Sequence, residues 1–156
     1  MESVFDMITK SIEHVSILYF RLIILVGSAE KDKAKLLNQI HQATGAPIFN
    51  INLELSRRML DLTERQRVLK LNRLLADLVD SANADVVLLD NIEILFDINL
   101  KQDPLKLLQG LARGKTIIVA WNGRIDEKYL YYATYEHPEY KKYPLQDYIA
   151  INIEEN

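Results

Sequence analysis

Runs that are apolar on nearly every residue take turns with stripes of helical spacing along this chain. RLIILV (residues 21–26) stops at Gly27, DVVLLDN (85–91) passes through Asp90, and KTIIVAWNG (115–123) stops at Asn122-Gly123. A strand apolar on successive residues needs both faces out of water, which a parallel sheet covered by helices provides. The intervening segments supply those helices. Leu36, Leu37, Ile40 and Ala43 form one stripe, closed by Gly45 and Pro47. A longer stripe over residues 55–80 is expected to break near Leu62-Thr63, where Thr63 with Gln66 makes a capping pattern. Asp103 and Pro104 read as the N-cap and first position of a helix over PLKLLQGLAR. Val4, Phe5, Ile8, Ile12 and Val15 predict an amphipathic helix over residues 2–16. APIFNINL (46–53) alternates partly and reads as a second strand, and residues 148–153 as a fifth. The segment 125–147 is tyrosine-rich and is expected to be irregular. The expectation is one α/β domain over residues 1–156, with a five-stranded parallel sheet flanked by helices and no lid domain.

The join between the first strand and its helix carries the chemistry. LIILVGSAEKDKAKLL (Leu22–Leu37) follows a strand with a glycine, then opens a helix around a lysine. A phosphate loop places glycine, four residues, glycine, lysine and a serine or threonine there. Gly27 takes the first place, with Ser28, Ala29, Glu30 and Lys31 after it; Asp32 stands at the second glycine, Lys33 at the lysine and Ala34 at the hydroxyl. Backbone amides over 28–34 are expected to favour an anion, and Lys33 to face the β and γ phosphates. Ala34 has no oxygen for magnesium. Asp32 brings a negative charge to the phosphate; two like charges at ~4 Å repel by about 1 kcal/mol in water and about 4 kcal/mol at an effective dielectric of 20. ATP with magnesium is therefore expected to bind weakly or not at all.

Two more strand ends fit the pattern. VVLLD ends in Asp90, the place of a carboxylate that holds magnesium, so Asp90 is the tentative metal residue. Asn91 follows where a water-activating glutamate would stand, and an amide has no useful basicity; no residue is assigned a catalytic role with confidence. Glu93 is a candidate substitute of undetermined aim. Asn122 ends a further strand, where related ATPases put a polar residue near the γ phosphate. The cofactor-binding candidates are thus Gly27, Ser28, Lys31, Asp32, Lys33, Ala34, Asp90 and Asn122, with Asp90 expected at the tip of the strand beside the loop strand. Three strand ends converging on one sheet edge match where open α/β folds bind ligands. The expected fold is thus a P-loop NTPase-like core of the ASCE or AAA+ kind with degenerate binding loops.

These segments resemble a known family. LIILVGSAEKDKAKLL and VVLLDNIEILFDINLKQDPLKLLQGLARGKTIIVAWNG are similar to BrxF, the small P-loop-containing proteins of type III BREX systems, which defend bacteria against phage. The runs D-N-I-E-x-L-F (Asp90 to Phe96) and A-W-N-G (Ala120 to Gly123) are the most specific parts, and the likeness covers nearly the whole chain. It implies a nucleotide-binding-type domain within an assembly that includes a large ATPase, a DNA methyltransferase, a helicase and a phosphatase-like protein. The departures at Asp32 and Ala34 weaken inherited ATP binding, and inherited hydrolysis more. The leading expectation is a non-catalytic or weakly catalytic subunit acting through protein partners. An ATP-binding switch completed by a partner and a DNA-binding accessory module are the alternatives.

Composition narrows the rest. The chain has no cysteine, which removes disulfides, thiolate metal sites and a cysteine nucleophile. The formal charge is −3, so the surface as a whole gives no reason to expect strong nonspecific DNA binding. The N-terminus lacks signal-peptide features, and no apolar run approaches the ~20 residues of a membrane helix. The expectation is a cytoplasmic protein with no membrane contact, with self-association left open. Tyr129, Tyr131, Tyr132, Tyr135, Tyr140 and Tyr143, interleaved with Lys128, Lys141 and Lys142, suit a protein interface, or an irregular segment that buries its rings and leaves the hydroxyls wet, better than nucleic acid, because Glu136 and Glu139 dilute the charge. Arg57, Arg58, Arg65, Arg67, Lys70 and Arg73 read as a solvated helix side, and Arg113 and Arg124 as surface residues before arginine fingers. His14, His41 and His137 have no ligand spacing.

Overall fold

The structure, a computed structural model, describes residues 3–154. Residues 1, 2, 155 and 156, at the two ends of the expected domain, lie outside the description, including Glu2 of the expected first helix. Its centre is β1 (Leu22–Gly27), buried at all six positions. It pairs in parallel with β4 (Thr116–Ile125) on one side and β7 (Ile149–Asn152) on the other. Beyond β4 come β3 (Val86–Asp90) and then β2 (Ile48–Asn50), again parallel. The five parallel strands therefore run in the order β2-β3-β4-β1-β7. Asp90 does not end a strand adjacent to β1, as expected; β4 lies between them.

Period-two alternation divides the strand residues between two cores. Leu22, Ile24, Val26, Val87, Leu89, Ile117, Val119 and Trp121 join one cluster. Ile23, Leu25, Leu88, Ile118 and Ala120 join the other. The second face is covered by α1 (Val4–Val15) and α2 (Glu30–Thr44), through Ile8, Val15, Leu36, Leu37 and Ile40. The first face is covered by α3 (Ile51–Met59), α4 (Glu64–Asp80) and α5 (Pro104–Leu111). This two-sided cover explains why the sequence runs are apolar throughout.

The expected break near Leu62-Thr63 separates α3 from α4. Thr63 Oγ1 accepts from the Gln66 amide at 3.2 Å, and Gln66 Oε1 accepts from the Thr63 amide at 2.9 Å. Arg67 braces the same turn, its Nε donating to the carbonyls of Met59 and Leu62. Gly45 closes α2 in a left-handed conformation, φ 77°. The second strand is shorter than expected, because Asn50 caps α3 by accepting from the Leu53 amide and turns residues 51–53 helical.

The largest departure is the tyrosine-rich segment. Part of it forms a hairpin, β5 (Tyr129–Tyr132) and β6 (Lys141–Pro144), antiparallel to the outer half of β4. The sheet thus has seven strands, not five. Leu130, Tyr132 and Tyr143 face the core; Tyr132 stacks on Phe96 with ring centroids 3.5 Å apart, and Trp121 meets Phe96 and Tyr143 edge-on. Trp121 Nε1 donates to the Tyr131 carbonyl at 2.9 Å. Among the described residues no helix is long and apolar enough to cross a membrane.

Candidate functional site

The C-terminal ends of β1 and β3 meet Asn122 at one edge of the parallel sheet; β4 does not end at Asn122-Gly123 as expected but continues to Ile125, because its last residues pair with β5. Gly27 and Asn122 are register partners across β1 and β4. Past Asp90 the chain turns at Asn91, whose φ of 51° is left-handed, and enters a 3-10 turn over Glu93–Phe96. That turn swings Glu93 back over the strand ends. Lys33 reaches the same place from the first turns of α2. It is one of two buried polar or charged side chains among the described residues, with only 2% of its surface exposed.

The loop is shorter than a phosphate cradle. Only Ser28 and Ala29 separate β1 from α2, and the Lys33 amide already makes a helical bond to the Ala29 carbonyl at 3.3 Å. The expected nest over residues 28–34 is therefore reduced to the amides of Ser28, Ala29 and the first helical turn. The reason is legible in charge. Glu30 and Asp32 lie in the first turn of α2, where each acidic side chain stabilises a helix by about 0.3–1 kcal/mol through the macrodipole. Lys31, Asp32 and Ala34 are all exposed on that helix.

Lys33 and Ser28 already have internal partners. Lys33 Nζ donates to the Gly27 carbonyl at 2.6 Å. Glu154, just past β7, accepts from the Ser28 hydroxyl at 2.6 Å and from the Ser28 amide. Those two bonds hold the Glu154 carboxyl below the usual glutamate range, with the Ala29 amide and Lys33 acting in the same sense. Burial pushes the Lys33 ammonium below the ordinary lysine value, while Glu30, Glu93, Glu154 and Asp90 act to keep it charged. Asp90 accepts from the next amide, that of Asn91, at 2.9 Å.

Glu93 is held by two side-chain amides. Its oxygens accept from Asn52 Nδ2 and from Asn122 Nδ2, both at 2.9 Å. Asn52 in turn accepts from the Ile94 amide at 2.7 Å, so it fixes the turn as well as the side chain. Burial pushes the Glu93 carboxyl above its usual range; Glu30 and Asp90 add to this, and the Asn52 bond opposes it. Asn122 also points its amide at Glu30, 3.4 Å away, and its Oδ1 is buried without a partner.

The structure thus brings Gly27, Ser28, Lys33, Asp90 and Asn122 to one edge, and leaves Lys31, Asp32 and Ala34 turned to solvent. Glu93 gains the aim that its sequence position left undetermined. Asn52 and Glu154 had gone unnoticed. Asn52 follows the second strand directly, a position that carries a signal once the strand order is known. Glu154 is distant in sequence and has no local signal.

The arrangement does not fit ATP with magnesium as it stands. The lysine is bonded to backbone, the loop serine is bonded to a carboxylate, and the position after Lys33 offers no oxygen. Among the described residues no cluster of three or more histidine, aspartate or glutamate side chains is set to hold a metal ion.

Several of the other candidates have local partners. Arg113 lies 5.6 Å from the Tyr19 ring, Arg124 3.8 Å from Tyr131, and Lys142 4.1 Å from Tyr129. Arg58 pairs with Glu54 at 2.7 Å and Arg73 with Asp77 at 3.9 Å.

These features define an α/β protein whose mostly parallel, helix-flanked sheet is compatible with the Rossmann-like and P-loop-like class. Compared with protein-family models, curated proteins and solved structures, the chain gives no significant match to any.

Proposed function

We propose that this chain is a degenerate P-loop NTPase-like subunit that works by binding protein partners, in a BREX-type phage-defence assembly, and not by hydrolysing ATP. Several features support the P-loop reading. A strand inserted between the loop strand β1 and the aspartate strand β3 is what an ASCE-type core calls for. The known doubly wound orders instead put β1 beside β2. Lys33 near the start of α2, Asp90 at the end of β3 and Asn122 on β4 are consistent with that reading.

The observation that carries the non-catalytic part is the internal bonding of the cradle: Lys33 on the Gly27 carbonyl and Glu154 on Ser28. A phosphate entering there must displace Glu154 from Ser28 and meets a lysine whose ammonium is already held by backbone. The phage-defence setting rests on the resemblance around D-N-I-E-x-L-F and A-W-N-G. Calorimetric titration of the wild-type chain with ATP and magnesium tests the first part; no saturable heat up to millimolar nucleotide is expected, and micromolar binding lost in Lys33→Ala would overturn it. Deleting the gene from its own locus tests the second part. Loss of phage resistance, restored equally by the wild type and by Lys33→Ala, is expected; unchanged resistance removes the defence reading.

One observation favours the switch reading. Glu93 is a half-buried, oriented carboxylate beside an acceptor, Asn122 Oδ1, that lacks a donor. A water between them has a base and a positioning group. If a partner completes the site, ATP turnover appears only in the mixed proteins and falls sharply in Glu93→Gln.

A further inference from the structure

The segment after β7 runs directly over the phosphate-type loop. The Ile153 amide donates to the Val26 carbonyl at 3.0 Å, which continues the β1–β7 pairing to the mouth of the loop. Ile153 then covers Gly27 so closely that a Cβ there would meet its Cγ1 at 2.9 Å and Glu154 Oε1 at 3.3 Å. Glu154 follows, and its carboxylate takes the Ser28 amide and hydroxyl. The Asn152 side chain accepts from the Glu154 amide at 2.9 Å and so fixes the turn that aims it. The Lys33 charge, held on the Gly27 carbonyl, favours the same carboxylate.

A carboxylate shares with a phosphate oxygen what such amides recognise: negative charge and lone pairs directed at N–H groups. Three independent features serve this one contact: strand pairing that delivers the tail, a glycine that lets it approach, and an oriented carboxylate. A surface glutamate held only by chance would need none of them.

We infer that Glu154 is an internal latch, a carboxylate standing in for a phosphate oxyanion in the β1–α2 loop, and that its release opens the loop to phosphate. The inference rests on the P-loop reading above and adds its regulation. The latch and an external oxyanion compete for the Ser28 and Ala29 amides. Apparent affinity is then cut by the open fraction, about ten-fold when ~10% of molecules are open. Anything that draws the β7 tail away, such as a partner that pairs with the β7 edge, opens the loop without touching it.

The test is a titration of the full-length chain with inorganic pyrophosphate, followed by the backbone amide resonances of Ser28 and Ala29. Wild type, Glu154→Ala and Glu154→Gln are compared, and the spread of the remaining resonances reports that each variant is folded. The expected result is saturable shifts of those amides at ten-fold lower pyrophosphate, or less, in both variants than in wild type. Lys33→Ala added to Glu154→Ala should abolish them. Equal binding by wild type and variants overturns the latch and leaves the phosphate loop standing. No binding by any form, with all folded, removes the phosphate-loop reading and the latch with it.

Discussion

The charge on Glu93 is opposed by its burial and by Glu30 and Asp90, and supported by Asn52 and Asn122. Its carboxyl titrates above the usual glutamate value, so the folded state holds that proton more tightly than the unfolded state does. The stability this brings is present in full below the unfolded pKa and is lost as pH rises through the raised folded value. Glu93→Gln lacks this loss. Denaturant titrations at intervals from pH 4 to pH 8 are expected to show the variant gaining on wild type as pH rises; a constant offset would show that the charge is comfortable where it sits. Legibility at this scale follows local order. Asp90 and Asn122 could be placed because each ends an apolar run. Glu93 could be named but not aimed, since its direction depends on a left-handed turn at Asn91 and on an asparagine forty-one positions earlier.

Two elements owe their limits to single residues. Thr63 and Gln66 exchange bonds at the start of α4, and Thr63→Ala is expected to cost about 1 kcal/mol of global stability by chemical denaturation. That break was readable because a capping box is a local device. Gly123 is different. A Cβ there would lie 2.0 Å from the Tyr131 carbonyl oxygen and 3.0 Å from Trp121 Nε1. Gly123→Ala must therefore push β5 off β4 and disturb the indole bond to Tyr131; about 2 kcal/mol or more of destabilisation is expected, with altered Trp121 fluorescence. A change under 0.5 kcal/mol would show that the hairpin yields at no cost. The hairpin was hidden for a physical reason: its strands are short, and the successive residues Tyr131 and Tyr132 face opposite sides with the same chemistry.

At the scale of the molecule, the strand order and the β7 tail decide what the edge site can do. Repairing the loop sequence alone leaves Lys33 on Gly27 and Glu154 on Ser28. Asp32→Gly with Ala34→Thr is therefore expected to gain little ATP–magnesium affinity by calorimetry, and glycine within the first turns of α2 costs up to about 1 kcal/mol of helix stability. Adding Glu154→Ala to that pair is expected to raise affinity at least ten-fold over the pair alone. A large gain from the pair by itself would mean that loop composition, and not the tail, keeps nucleotide out.

By itself the sequence determined the α/β class, the buried strands, most helix limits and the residues that close three apolar runs, though not where the fourth strand ends. These follow from periodicity and capping, which act within a few residues. The tertiary structure decided that β4 separates β1 from β3, that half the tyrosines pack in a hairpin, and that Glu93 and Glu154 converge on the loop. Those outcomes depend on which strand pairs with which, a choice made by long-range burial and backbone bonding that no local pattern encodes.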